Sequence, residues 1–482
     1  MESSRTAGGN GELKRSIGLW TATGIVATSM IGTGIMTITG IMAADLQDPW
    51  WILGLWLLGG VIALTGALTF GELGAMYPRA GGSYVYIYHG YGPMWGFLSG
   101  WTSLFVGFSA PVAAGALASM EYLSTYYPVL SPLGGVSIPL GFFSLKVSWG
   151  HLAGALVIAW MSWMHYVGVR TGALLQNSMT TLKITVLAGI AIAGFLWGRG
   201  DWAHLKGARP AIDTISLLPK VGVSLIFVMF AYSGWDSSAY IAGEIKNPNR
   251  NLPLSLLMGT GGVLILYMSL NLLYLYALSI PEMSNVLAIG SVTLNALFGP
   301  QVTVWTDAIL ALSILSAVNA FILIGPRVYY AMAKDGIFMP LFAEVHPKFY
   351  TPAKAIVLQA IIAIMLMVTG TFDQLLAYAG FCLMLFSTMA VAAIYMLRWR
   401  QPDNPRPYRT WGYPVIPALF IMIGIWIMVY TFVGRPIESL LGIGTVLVGL
   451  PFFFRYWRKH GGVRKSEVCE DETENTSPHS EV

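Results

Sequence analysis

Residues 17–44 read IGLWTATGIVATSMIGTGIMTITGIMAA, an apolar run of bilayer-crossing length with Gly32 and Gly34 in its middle. At 1.5 Å per residue the pair lies roughly 22 Å along the run, near mid-membrane when the first turn sits among the headgroups. A later run, 217–246, carries Phe230-Ala231-Tyr232-Ser233-Gly234-Trp235 at a similar distance from its own start. Two helices that break at matching depths, one rising from each side of the membrane, point to a midplane binding site between inverted repeats. Close packing through small residues is the alternative reading of a single glycine pair. Two breaks set five spans apart favour interrupted helices.

Composition fixes the setting. The 482 residues are 55% apolar and 10% charged, against roughly 25% charged in an ordinary soluble protein. That is too little charge to cover a water-soluble surface, so a polytopic membrane protein is expected. Reading for apolar runs of about 20 residues gives twelve: 17–44, 50–77, 84–126, 150–169, 173–198, 217–246, 253–279, 300–333, 354–372, 374–399, 413–433 and 438–457. Backbone groups in lipid must be satisfied within their own segment, so the expected fold class is an all-α membrane protein of twelve transmembrane helices. The run 84–126 exceeds what one span needs and is read as a surface turn followed by a tilted helix.

Of the 27 basic residues, 20 fall with the termini and the loops after even-numbered spans, 6 fall on the opposite side, and Lys183 lies inside a span. That bias places both termini in the cytosol. The chain then divides into a cytosolic segment 1–16, one transmembrane domain 17–457 and an acidic tail 458–482 expected to be disordered. Within the domain, repeat one covers about 17–198, repeat two about 217–399, and spans 11 and 12 about 413–457. The net charge of +4 gives no reason to expect a nucleic acid partner, and Cys382 and Cys469 cannot build a disulfide framework. The first apolar run is too long for a cleavable signal core.

Helix ends supply the chemistry of the site. Where span 1 restarts, the backbone N–H groups around Thr33 and Gly34, next to Ile31 and Gly32, lack intrahelical partners and suit a carboxylate. Where the first half of span 6 stops, the carbonyls of Phe230, Ala231 and Tyr232, followed by Ser233 and Gly234, suit an ammonium group. A site offering both ends fits the α-amino and α-carboxyl groups of a free amino acid. No HExxH, GxSxG, P-loop or Cys/His metal spacing occurs. No catalytic residue, metal or cofactor is therefore expected, and an ATP-driven pump is excluded for this chain.

The element Gly32-Thr33-Gly34-Ile35 resembles the GSGI motif of span 1 in the amino acid–polyamine–organocation superfamily. The stretch FAYSGWDSSAYIAGEIKNPNRNLP at 230–253 is similar to span 6 and its following loop in the L-type amino acid transporter branch. GELGAMYPRAGGSYVYI (71–87), QNSMTTLK (176–183) and PRVYYAMAKDGIFMPLFAEVHPKFYTP (326–352) resemble further elements of that family. The resemblance implies a five-plus-five inverted-repeat fold with broken helices 1 and 6, two extra helices, and amino acid transport by alternating access. It also implies a gate at Phe230. Thr33 and Met36 depart from the usual Ser and Phe. The loop 127–149 lacks the cysteine by which animal members join a glycoprotein, so no disulfide-linked partner is expected and a bacterial inner membrane fits. A monomer or weak homo-oligomer is expected.

Single residues leave alternatives. Trp235 is a gate, a packing ring or an interfacial ring. Asp236 is either a favourable charge at a helix N-terminus or a contact for a cationic substrate side chain. Tyr267 matches a tyrosine that touches the span-1 break in bacterial relatives, or is structural. Asp307 and His165 read as buried groups with partners, and Ser316 and Asn319 fall where span 8 meets span 1. Lys183 lies roughly 16 Å into span 5, where a charge costs about 3 kcal/mol or more. By resemblance its ammonium replaces a sodium ion and links the span-1 break to span 8 near Ser316, which makes transport sodium-independent. Exchange and proton-linked uptake both fit. The rivals are a carrier of cationic amino acids, polyamines or other amine metabolites, and a sensor that binds amino acids without transport.

Overall fold

The computed structural model describes residues 15–139, 144–206, 214–286, 289–369, 372–434 and 436–460. Most of the expected tail and N-terminal segment lies outside them. The described chain is helical apart from one antiparallel hairpin, Val136–Pro139 with Ser144–Val147. Span 1 is two helices, α1 (Leu19–Met30) and α2 (Thr33–Leu46). Next come α3 (Pro49–Met76), α4 (Ser83–Tyr91), α5 (Pro93–Thr102) and α6 (Ala110–Ser124), the last two joined by a π-helical stretch, Ser103–Ser109. They are followed by α7 (Trp149–Val167), α8 (Val169–Trp197), α9 (Thr214–Ala231), α10 (Ser237–Tyr240) and α11 (Pro248–Ala277). The remainder is α12 (Ile280–Met283), α13 (Ile289–Phe298), α14 (Pro300–Lys334), α15 (Ala353–Thr369), α16 (Phe372–Arg400), α17 (Val415–Gly434) and α18 (Pro436–His460).

Among the described residues nine helices are long and apolar enough to cross a membrane, which makes this a multi-pass membrane protein. The other three apolar runs read from the sequence form α7, α9 and α15. The run 84–126 divides between α4 and the α5–α6 segment. Gly81 (φ +124°) and Gly82 (φ +54°) turn the chain into α4 in conformations that favour glycine. Asp48 caps α3 by accepting from the N–H groups of Trp50 (2.7 Å) and Trp51 (3.2 Å), with Pro49 as the first helical residue.

The core forms where α11 lies along α3, α14 along α6, and α1 against both α11 and α14. The two ends of the described chain, at residues 16–17 and 456, come to one end of the bundle. Ser16 and Ile17 donate to the Glu244 carbonyl, and Tyr456 donates to the Phe338 carbonyl just beyond α14. The hairpin and α13 had no counterpart in the apolar-run reading, since neither is long enough to register as a span.

Candidate functional site

The span-1 break begins where Ile31 leaves helical geometry (φ −75°, ψ 93°) and ends where α2 restarts after Gly32 (φ −129°, ψ −145°). No side chain caps α2. The span-6 break runs from Ala231 to Asp236, and Gly234 there takes a φ of +95°. The two breaks touch. A Cβ on Gly34 would lie 2.6 Å from Ala231 Cβ and 2.7 Å from Ala231 Cα. One on Gly234 would lie 2.8 Å from Ser29 Cβ. Only glycine permits these approaches. Tyr267, fully buried on α11, points its hydroxyl at the Met30 carbonyl (2.6 Å) and the Ala231 carbonyl (3.1 Å), and so ties the two helix ends together.

The expected free carbonyls of span 6 are only partly so. The Phe230 carbonyl accepts from the Ser233 N–H (2.9 Å) and the Ala231 carbonyl from Tyr267. A tight turn and a tyrosine from a neighbouring helix do what an intrahelical partner would have done, and each carbonyl keeps one lone pair for a ligand.

Two cavities adjoin the breaks. The smaller, about 40 Å³, is walled by Gly32, Thr33 and Gly34 of span 1, Ala114 and Gly115 of α6, Ser233, and Ala317 of α14. The larger, about 60 Å³, lies among the π-helical stretch, the span-6 break, α14, α16 and α17. Phe230, Ser233 and Phe321 wall both, so Phe230 stands at the partition. Trp235 lines the larger cavity while its ring packs edge-on against Phe70 (4.7 Å) and Phe420 (5.6 Å). Ile31 and Tyr232, expected at the substrate, line neither cavity with their side chains. The Tyr232 hydroxyl instead donates to the Trp56 carbonyl (3.0 Å).

A family model described as amino acid permease matches residues 17–448 of this chain. The chain belongs to the amino acid permease family. The serine/threonine exchanger SteT of Bacillus subtilis (strain 168) is 30% identical over 92% of the chain and 97% of its own length. The mouse (Mus musculus) large neutral amino acids transporter small subunit 2 is 29% identical over 95% of the chain and 84% of its own length. The mouse b(0,+)-type amino acid transporter 1 is 27% identical over 92% and 88%. Family and relatives are transporters and not enzymes.

In this permease Lys183 is buried in α8, and its ammonium donates to the carbonyls of Thr28 (3.3 Å) and Ile31. These carbonyls close α1, so the cation sits at the negative end of that helix. Among the described residues Lys183 has no acidic partner. Its expected link to span 8 at Ser316 is not made. Among the described residues Ser316 Oγ is buried without a hydrogen-bond partner, and the two bonds of the Lys183 ammonium go to span 1.

The tie to span 8 runs elsewhere. Thr28 bonds Thr180 (2.6 Å), Gln176 donates to Thr180 (3.1 Å), Asn319 of α14 donates to Gln176 (2.7 Å), and His165 of α7 bonds Asn319 (2.9 Å). Sequence reading singled out His165 and Asn319 but not this chain. The signal was present: Gln176, Thr180 and Lys183 at i, i+4 and i+7 share one face of α8.

The end of the permease that holds the termini is clamped by ion pairs. Arg327 and Glu244 are both fully buried, 2.7 Å apart. Arg79 pairs with Asp335 (2.8 Å), which also accepts from Tyr84 (2.6 Å). Arg398 pairs with Glu72 (2.7 Å). Burial and the adjacent Arg79 guanidinium push His89, on α4, down to about 3, so it stays neutral beside that cation. Asp307 accepts from Ser291 at 2.5 Å. Among the described residues no His, Cys, Asp and Glu grouping could hold a metal ion.

Proposed function

We propose that this permease is a secondary transporter that carries free amino acids across the plasma membrane by alternating access, without sodium. The observation that carries the reading is the contact of two broken helices beside a cavity walled by Gly32, Thr33, Gly34, Ala231 and Ser233. The α2 start presents N–H groups to a carboxylate, and the α9 end presents carbonyls to an ammonium. Ile31, Gly32, Thr33, Gly34, Phe230, Ala231, Tyr232, Ser233 and Gly234 form the substrate site. Ile31 and Tyr232 contribute through their backbone and their packing. Phe230 and Trp235 act as gates, and Lys183, Tyr267 and Ser316 belong to the coupling region.

The finer architecture follows from the same reading. Adding α7, α9 and α15 to the nine long helices gives twelve spans, with α1–α8 and α9–α16 as inverted repeats and both termini in the cytosol. Sodium independence rests on Lys183, whose ammonium neutralises the α1 carbonyl end where a free cation would otherwise bind. The name of one relative, the serine/threonine exchanger, favours exchange, and a proton-linked mode is its alternative. The protein acts without a disulfide-linked partner, as a monomer or weak homo-oligomer in a bacterial inner membrane.

The test is counterflow in proteoliposomes across the amino acids, with and without a pH gradient and with sodium replaced by choline. Counterflow unaffected by choline is expected. Stimulation by sodium removes the role given to Lys183. Tight binding with no counterflow for any amino acid makes the protein a sensor and overturns the transport reading.

A further inference from the structure

The larger cavity contains a charge that nothing described so far uses. Asp236 is 8% exposed, and it is the only charged residue among the described residues lining that cavity. Its carboxylate accepts from the Tyr240 hydroxyl at 3.0 Å and, at long range, from Ser83 at 3.5 Å. It forms no ion pair among the described residues. Asp236 does not serve as a helix cap either. Its side chain bonds no backbone N–H of α10, and α10 has four residues, too short for a dipole of consequence. Beside it Ser237 Oγ, on the wall of the same cavity, is buried with no hydrogen-bond partner. Buried charges in proteins are paired or hold a cation, and ionisable groups within a membrane serve a function by default.

The surroundings indicate which cation. The cavity shares Phe230, Ser233 and Phe321 with the smaller one, so a ligand held at the two breaks can extend a chain past these side chains. The walls along that path are mostly aromatic and aliphatic, with hydroxyls at Ser103, Ser387 and Thr431. At roughly 10–15 Å³ per water-sized group, the cavity of about 60 Å³ holds about four to six such groups. That matches three or four methylenes ending in an amine. We propose that the larger cavity is the side-chain subsite and that Asp236, with Ser237, receives the terminal ammonium of a diamino acid such as lysine or ornithine. The inference rests on the amino acid transport reading and names its substrate class.

The experiment is competition for labelled alanine counterflow in proteoliposomes by lysine, ornithine and norleucine, the last having the length of lysine without its amine. Lysine and ornithine should compete at least tenfold more strongly than norleucine, and Asp236→Asn should bring that ratio close to one. Asp236→Glu should restore part of it. If Asp236→Asn does not fold, the unmodified protein still decides. Lysine should raise its thermal unfolding temperature at a concentration at least tenfold below that needed with norleucine. Equal potency of lysine and norleucine on the unmodified protein overturns the proposal. So does an Asp236→Asn variant that keeps the ratio and loses uptake driven by a pH gradient, which makes Asp236 a proton site. Absence of counterflow with every amino acid tried, alanine and lysine included, overturns the transport reading instead.

Discussion

At the scale of the residue, two glycines of one motif have different physical jobs. A Cβ on Gly34 meets the Cα and Cβ of Ala231 below 3 Å, and backbone cannot swing aside. On Gly32 the nearest atom is Ala317 Cβ at 3.8 Å, an ordinary contact. Gly34→Ala should therefore lower alanine counterflow at least tenfold, and Gly34→Val should abolish it. Gly32→Ala should fold normally and lose less. Equal losses, measured on equal amounts of reconstituted protein, would mean that close approach is not what Gly34 supplies. Lys183→Ala leaves two buried carbonyls at the end of α1 without their donor, each costing about 1–3 kcal/mol. The variant should unfold at a lower temperature and transport poorly. Unchanged kinetics would remove Lys183 from the mechanism.

At the scale of the element, a side chain matters through the helix end it adjoins. Phe230 closes α9 and walls both cavities, while Phe227 lies three residues earlier and walls neither. Phe230→Ala should cut uptake more than Phe227→Ala, whereas similar losses would point to general packing damage. Tyr267→Phe removes one hydroxyl that joins both breaks and leaves the Met30 and Ala231 carbonyls without that donor, a stability cost of about 1–3 kcal/mol. Its effect on transport should exceed its effect on unfolding temperature, since the hydroxyl holds two moving ends in register. The breaks were legible in the sequence because glycine pairs inside apolar runs contradict a continuous helix. Lys183 was legible because a charge contradicts its surroundings. The satisfied carbonyls of Phe230 and Ala231 were not legible, since Tyr267 arrives from 36 residues away in sequence. Nor was the missing bond to Ser316, because the direction of an ammonium depends on carbonyls contributed by another helix. For Asp236 the sequence left a helix-end charge and a contact for a cationic side chain both open, and the four-residue length of α10 weighs against the first.

At the scale of the molecule, ion pairs between distant segments clamp one end of the bundle, and they differ in how far water can weaken them. Arg79 is 38% exposed beside Asp335, so salt and solvent screen that pair. Arg327 and Glu244 are 1% and 0% exposed, and Glu244 also anchors Ser16 and Ile17, just before α1, through its carbonyl. Breaking a buried pair by removing one partner costs about 3–5 kcal/mol, because the remaining charge stays desolvated. Conformers of a protein that exchanges between two states differ by a few kcal/mol. Glu244→Gln should therefore invert the population and open the terminal end, where water can reach Arg327. Ser233, half-buried on the wall of both cavities, offers a reporter. With Cys382 and Cys469 replaced, Ser233→Cys should react with an impermeant thiol reagent applied from the terminal side several-fold faster when Glu244→Gln is also present. The increase should persist at high salt, since the pair it removes is shielded from ions. An unchanged labelling rate would mean that the Arg327–Glu244 pair fixes the fold without setting which face is open.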